Sequence, residues 1–593
     1  MKRIYKTLFI STTLFAITGT VSAQEPLALA RKVSDKVLAC GSFAFEYTVQ
    51  QPYSDAESVD FGRSCTPVTG VAYAVSTLQS DVSQEQTFEF GCRWPVKIWI
   101  DEKLVFERHT KTDFSITYDE KSYLLPEQFT VRLAKGTHKI LIKSARDKMD
   151  ATEDWLFVTQ SINMTRYSKR GKRIRFSLNE YAPKAAQLAH WLVLGTFAGN
   201  INTVLPPETA LEFHKVYNGA MERIAWNIPR VNLLTSNKDG GKFYAWNYHV
   251  GCFNWALQCL GAATGDARYS DYAARWCEYA LDTFPMVEHQ MRDLLAFRSM
   301  NFGQVGLPML DYMSAPAMPF VTRLAAGKNF PGMERYRERA ALIVDYLRNK
   351  QFRVDGIFAR SYTEYPSIWA DDMYMGIPYL VYWSKYTNDA AERIALLDDA
   401  SLQIIKFNSY LYEPQVGLYR QACYPSKREE KVPFWSRGNG WALWSAVEVL
   451  DALPETHENR AVLMKIYRDH VDGLLRQQDS EGFWRNVLDM PASVRESSGA
   501  AIFTLCIACG INNGWLSREK YGPALERAWR ALATFVDDNG DFNGVKGGTN
   551  FSTKAADYER ISFIKSDTHG LLPFIFACIE MDKYFRRWTS FSS

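Results

Sequence analysis

Apolar and polar positions change their period once along this chain. Up to about residue 235 they alternate. Val96-Lys97-Ile98-Trp99-Ile100 runs into a polar turn at Asp101-Glu102-Lys103, and Leu104-Val105-Phe106 returns. This pattern predicts a β-hairpin. Phe129-Thr130-Val131-Arg132-Leu133, a turn at Lys135-Gly136 and the alternating His138 to Lys143 predict a second hairpin. Ala189 to Leu194 reads as a further strand. One apolar face per strand predicts two packed layers, so residues 24–235 read as a β-sandwich region.

From about residue 236 the period is helical. Leu525, Trp529, Leu532 and Val536 recur at helix spacing, as do Ala501, Thr504, Leu505 and Ala508. A longer period overlies this one. A glycine followed two residues later by an aromatic recurs at Gly241/Phe243, Gly356/Phe358, Gly417/Tyr419, Gly482/Trp484 and Gly540/Phe542. The first interval is about twice the others, which predicts a degenerate copy near Asn301-Phe302-Gly303. The result is six units of about sixty residues, each with room for two helices, and such a period marks a repeat architecture. Six helical hairpins make an open solenoid or a closed ring. Closure would gather polar side chains and Trp around a central cleft.

Composition narrows the function. The 593 residues carry 69 Lys+Arg against 66 Asp+Glu. The excess lies in Lys2, Arg3 and Lys6, which with the apolar Leu8–Ile17 and the small Val21-Ser22-Ala23 have the form of a signal peptide over residues 1–23. An exported protein, periplasmic or secreted, is expected. The charge-balanced remainder argues against general nucleic-acid binding, and no later apolar run is long enough to span a membrane. The ten Cys are too sparse for a disulfide scaffold. Cys40 and Cys65 are candidates for a pair, and the CxxC at Cys506 and Cys509 reads as small helix residues more readily than as a redox motif. Dispersed His residues and the lack of HExxH or paired CxxC motifs imply no metal and no other cofactor.

Two segments carry chemistry. In Trp369-Ala370-Asp371-Asp372-Met373-Tyr374-Met375, two acids stand in an apolar helical run. Neighbouring helix positions diverge by about 100°, so one carboxylate can face a cleft while the other caps or pairs. Burial raises a carboxyl pKa and suits it to general acid catalysis. The alternative is a pair of acids at a helix N-terminus, favoured by the macrodipole. In Trp435-Ser436-Arg437-Gly438-Asn439-Gly440-Trp441, an Arg fork and two indoles suit a carboxylated sugar. The alternative is a glycine-rich helix start with packed Trp.

These two segments, with Arg360, Trp484–Asp489, Glu496–Ala500, Gly510–Gly514 and His569-Gly570, resemble glycoside hydrolase family 105, the unsaturated rhamnogalacturonyl and glucuronyl hydrolases. The resemblance spans about 240–590. It implies an (α/α)6 barrel over residues 236–593, shared with the family 88 unsaturated glucuronyl hydrolases. It further implies an exo-acting enzyme that removes a terminal 4,5-unsaturated uronic acid from oligosaccharides made by polysaccharide lyases. In that family an acid protonates C4, water adds at C5, and the hemiketal opens. One Asp serves as acid and then as base, and Asp371 matches it, with Asp372 in support. By the same carry-over Arg360, Trp369, Trp435, Arg437, Trp441 and Tyr248 line the site.

Three positions depart from the family pattern. Asn301 is the nearest match to a second Asp, Arg360 stands for a His, and Arg420-Gln421-Ala422-Cys423 lacks another His. The β-rich region resembles jelly-roll modules appended to exported glycosidases, as a buttress or a glycan binder. Two rival readings follow. One is an inverting glycosidase acting on saturated sugars, with Glu496 or Asp489 as second carboxylate. The other is a non-catalytic glycan-binding protein.

Overall fold

The computed structural model describes residues 25–589, apart from 40–42, 44, 51–55, 66–68, 115–124, 149–152, 163–173, 178–190, 204–223, 227–231, 238–241, 295–300, 306–308, 362 and 364. The signal-peptide segment, Cys40 with its proposed pairing, and Gly241 of the glycine repeat lie outside the described residues. The chain is helix-rich, with a β-rich region ahead of the helices. Among the described residues no helix is long and apolar enough to cross a membrane.

Thirteen described strands precede the paired helices: β1 (Phe45–Gln50), β2 (Ala56–Asp60), β3 (Gly70–Ser80), β4 (Gln84–Cys92), β5 (Val96–Ile100), β6 (Lys103–Arg108), β7 (Glu127–Leu133), β8 (Gly136–Arg146), β9 (Leu156–Ile162), β10 (Ile174–Ser177), β11 (Leu192–Phe197), β12 (Ile224–Trp226) and β13 (Asn232–Asn237). One antiparallel sheet runs β12-β11-β3-β8-β5-β6 with β10 also on β3, and another runs β2-β9-β4-β7. Phe88, Phe90, Phe129 and Phe157 of the smaller sheet share an apolar core with Leu78, Ile98, Ile140 and Ile142 of the larger. The β5–β6 hairpin forms as its alternation predicts, from Val96↔Arg108 to Ile100↔Lys103. The second predicted hairpin does not. Its two strands exist, but β7 pairs with β4 and β8 lies between β3 and β5. Ile140, Leu141 and Ile142 are all buried. A strand apolar on both faces belongs inside a sheet, so β8 leaves its sequence neighbour for the centre of the larger one.

Besides a single helical turn at Phe61–Ser64, one longer element departs from the β reading of the first region. Pro26–Ala39 is a helix, α1, whose buried Leu29, Ala30, Val33 and Val37 fall on one face. It packs against the last helix of the chain.

The remaining long helices alternate. The first set is α2 (Tyr248–Thr264), α4 (Met318–Ala325), α6 (Ala370–Tyr386), α8 (Ser436–Ala452), α10 (Ser497–Asn512) and α12 (Thr568–Thr589). Each packs on the next, and α12 packs on α2. The second set is α3 (Ala267–Leu294), α5 (Met333–Asn349), α7 (Ala390–Leu411), α9 (Arg460–Arg476) and α11 (Arg518–Ala533), each against the helix before it. With α1 against α12, every helix of the first set has a partner outside that set.

The glycine repeat has a conformational cause. Gly356, Gly417, Gly482 and Gly540 all have positive φ, at 83°, 80°, 99° and 77°. The aromatic two residues on is buried each time: Phe358, Tyr419, Trp484 and Phe542. Each turn thus returns the chain and carries its aromatic into the helical core. At Gly482 a Cβ would also lie 2.4 Å from the Arg527 carbonyl oxygen. Gly482→Ala is therefore expected to lower unfolding free energy by about 2 kcal/mol or more, read from urea denaturation, whereas a loss within about 0.5 kcal/mol would contradict this account.

Candidate active site

The site begins at the N-terminus of α6. A two-residue ladder joins Ile368 to Cys423 and Trp369 to Ala422. The Ala370 N–H donates to the Gln421 carbonyl at 2.7 Å. An isolated bridge pairs Arg360 with Ser367. These backbone contacts bring Arg360 and Gln421, from two loops, to Asp371 and Asp372 at the start of α6.

Arg360 grips Asp372. Its Nε and Nη2 donate to the carboxylate at 2.9 and 2.7 Å. The same Nη2 lies 3.2 Å from a carboxylate oxygen of Asp311. The guanidinium sits over the Trp369 ring at 4.1 Å. Arg360 is thus a partner for protein acids, with 7% of its side chain exposed, rather than a free fork for a substrate carboxylate. Trp369 is buried as well, and its indole N–H donates to Ser367.

Three carboxyl groups surround this one cation. Asp371 lacks the guanidinium grip that Asp372 has, and Gln421 Nε2 donates to it at a long 3.4 Å. Burial pushes its carboxyl up to about 7, and the charges of Asp311 and Asp372 add to that against the pull of Arg360. Burial also raises Asp372, against its Arg360 pair. A carboxyl raised into the neutral range suits the acid of a proton-transfer step.

Asp311 was not singled out from the sequence, where Asn301 stood for a second acid. Asn301 instead accepts a hydrogen bond from the Trp246 N–H at 2.7 Å, with φ at 62°. Asp311, just before α4, supplies the second acid beside Arg360. The signal was its isolation: it is the lone charged residue between Arg298 and Arg323. Gln421, in the stretch that lacks the expected His, is fixed by Tyr558, whose hydroxyl donates to Gln421 Oε1 at 2.5 Å. With Oε1 so occupied, Nε2 is the end that faces Asp371.

The Trp-Ser-Arg-Gly-Asn-Gly-Trp segment corrects expectation. Arg437 is fully buried, and its donors serve the protein: Nη1 bonds Ser498 Oγ and the Lys546 carbonyl, and Nη2 the Gly547 carbonyl. Trp441 is fully buried against Tyr374 at 4.5 Å, and Trp435 packs with Val432, Val487 and Tyr558. Gly440 lets α8 approach α10, since a Cβ there would meet Ile502 at 2.7 Å. Asn439 ties the Tyr419 backbone through both its carboxamide atoms. The segment is mainly the frame of the site. Glu496 caps α10 through the Gly499 N–H, and Asp489 is exposed, so neither is placed as a cleft carboxylate. Cys506 and Cys509 are free thiols whose burial pushes them up.

On α2, Tyr248 and His249 remain half-buried. The Tyr248 hydroxyl lies 2.5 Å from His569 Nε2, and His569 Nδ1 lies 2.5 Å from Asp567 Oδ1. His249 stacks on His569 at 3.9 Å and bonds Thr568 Oγ1 through Nδ1. His249, Asp567 and His569 bring ligand atoms within 4.8 Å of one another. Both nitrogens of His569 are hydrogen-bonded, in a chain that runs from Tyr248 to Asp567.

The helical half and this buried acid cluster define a glycoside hydrolase. Glycosyl Hydrolase Family 88 matches residues 235–585, and the chain belongs to that family. The resemblance to family 105 agrees with this assignment. An unsaturated 3S-rhamnoglycuronyl hydrolase of Formosa agariphila is 32% identical over 189 residues, 30% of this chain and 49% of the relative. An unsaturated rhamnogalacturonyl hydrolase of Bacillus subtilis is 24% identical over 58% of this chain and 90% of the relative. A solved family 105 glycoside hydrolase of C. acetobutylicum shares 22% identity, with a TM-score of 0.49 over 58% of this chain and 95% of that one. The chain spans about half the length of the Formosa relative that it matches.

Proposed function

We propose that this protein is an exported, exo-acting hydrolase that removes a 4,5-unsaturated uronic acid from the non-reducing end of lyase-generated oligosaccharides. The observation that carries the reading is Asp371: a buried carboxyl, raised to about 7, beside two further acids that share Arg360. Asp371 gives its proton to C4 of the enol ether. Positive charge then develops at C5 and the ring oxygen, where nearby carboxylates stabilise it. Water adds at C5, and the hemiketal opens to release the rest of the saccharide.

In this reading residues 236–593 form an (α/α)6 barrel of six helical hairpins, with α1 as the outer helix of the sixth. Strands within 24–235 form a β-sandwich buttress on the same chain. The cyclic succession of helix contacts and the core shared by the two sheets support this architecture. The activities of the Formosa and Bacillus relatives agree with the substrate class.

The test follows the conjugated double-bond absorbance of a panel of lyase digests. Loss of absorbance with release of the shortened saccharide is expected. Release from saturated substrates alone would favour an ordinary inverting glycosidase, and tight binding without turnover a glycan-binding protein. The rate is expected to fall as pH rises through about 7, because the acid must be protonated. A rate flat from pH 6 to 9, measured as kcat/KM, would remove Asp371 from that role.

A further inference from the structure

The two carboxyl oxygens of Asp371 have unlike surroundings. Oδ2 accepts from Gln421 Nε2 at 3.4 Å, whereas Oδ1 has no hydrogen-bond partner among the described residues. Asp371 keeps 7% of its surface open, against 1% for Asp372. One oxygen is held by the protein, and the other is left for chemistry.

The hold on Oδ2 has a fixed direction. The Ser552 backbone N–H donates to the Tyr558 hydroxyl oxygen at 3.2 Å. A backbone N–H can only donate, so the tyrosine's own hydrogen is left for Gln421 Oε1, 2.5 Å away. A carboxamide oxygen can only accept, so the amide turns its hydrogens toward Asp371. A reversed amide would give the Tyr558 oxygen two donors and leave its hydrogen without an acceptor among the described residues. Gln421 and Tyr558 are both fully buried. The start of α8 packs on the glutamine stem, where a Cβ on Gly438 would stand 3.5 Å from its Cγ. Burial pushes the Tyr558 hydroxyl up, and the charge of Asp371 adds to that, so it stays a donor.

Building on the function proposed above, we infer that Tyr558 and Gln421 are positioning residues that place the acidic proton on Asp371 Oδ1. A hydrogen on Oδ2 would meet the amide hydrogens head-on, and on Oδ1 it does not. In the reaction the Oδ1–H bond breaks as the C4=C5 electron pair forms C4–H. The negative charge left on the carboxylate is shared with Oδ2, where the amide stabilises it. When water bonds C5, one water O–H breaks and its proton returns to Oδ1. Proton given and proton regained balance, nothing is oxidised or reduced, and one oxygen serves both steps. A carboxamide does not titrate, so this orientation holds at every pH, as it would not with an imidazole in its place.

The groups that bear on Asp371 are Arg360, Asp311 and Asp372, with the hydroxyls of Tyr248 on α2 and Tyr558 on the short helix Ala555–Glu559. The experiment compares wild type, Tyr558→Phe, Gln421→Met and the double variant, none of which removes a charge. The readout is kcat and KM on an unsaturated uronyl oligosaccharide from about pH 5 to 9, with circular dichroism and thermal melts to check folding. Gln421→Met deprives the carboxylate of its donor, and Tyr558→Phe lets the amide turn and offer Oε1 to the acidic proton. Both changes favour the protonated carboxyl, so the fall of kcat with pH is expected to move up by about 0.5–1 pH unit. On the low-pH plateau kcat is expected to drop about tenfold with KM within about threefold, because the proton is no longer confined to the working oxygen. In the double variant Tyr558→Phe should add nothing, since it acts through Gln421. Folded single variants whose kcat falls at the wild-type pH would overturn the inference, as would a Tyr558→Phe loss that multiplies in the Gln421→Met background. Should one single variant fail to fold, the pH profile of the other decides. Wild-type inactivity on every unsaturated substrate overturns the function itself, and this inference with it, whereas an active wild type and an unmoved profile in the variants overturn the inference alone.

Discussion

Asp371→Asn is expected to lower kcat on an unsaturated uronyl oligosaccharide by about 10²–10⁴-fold, the usual weight of a positioned general acid. The amide matches the carboxyl in shape but has no acidic proton to give. Stability should move the other way. Asp371 titrates at about 7 in the folded chain, above the ordinary carboxyl value near 4. A raised carboxyl contributes fully to native stability below its unfolded pKa, and that contribution is lost progressively as pH rises through the folded one. Above pH 7 the wild type therefore carries a buried charge that the amide lacks. The variant should be more stable there by roughly 1–4 kcal/mol, while at pH 4 the difference narrows. Activity assays and thermal melts at both pH values check the pair of effects. A folded Asp371→Asn protein with full kcat would refute the assigned acid.

Arg437→Met is expected to destabilise the protein by about 3–5 kcal/mol. The guanidinium is fully buried, and it satisfies Ser498 and the carbonyls of Lys546 and Gly547. Glu496, 3.8 Å away, would lose its nearby positive charge. Removing the cation leaves these acceptors without donors in a low-dielectric interior. Urea denaturation measures the loss. If Arg437 instead served mainly to bind a sugar carboxylate, the variant would show near-wild-type stability and a raised KM.

The arrangement separates three carboxyl groups by their neighbours. Asp372 has a two-pronged guanidinium, Asp311 shares that cation from the side, and Asp371 has an amide. Burial first, and then the neighbouring like charges, raise Asp371, whose hydrogen-bonding side-chain partner is a neutral amide. The Gln421–Tyr558 pair fixes the amide beside it.

Legibility differed by kind of signal. The glycine–aromatic repeat predicted the helix pairs, because a left-handed turn demands glycine at each recurrence. Asp371 stood out because an acid in an apolar run has no solvent to face. The β5–β6 hairpin was readable because its strands and turn are contiguous. The β7–β8 pairing was misread, since alternation gives a strand but not its partner. Helix α1 was hidden by its distance in sequence from α12, on which it buries its apolar face.

Sequence by itself determined the helix periodicity, the repeat and the family, all of which rest on local spacing and side-chain type. Tertiary structure alone decided which acids share Arg360, why Arg437 and Trp441 are frame rather than ligand, and how Tyr248 meets His569 across 321 positions. Local patterns record where a chain wants to bury or turn. Which charges lie within a few ångströms depends on loops brought together by the packed helices, and it is those distances that set each group's proton and its task.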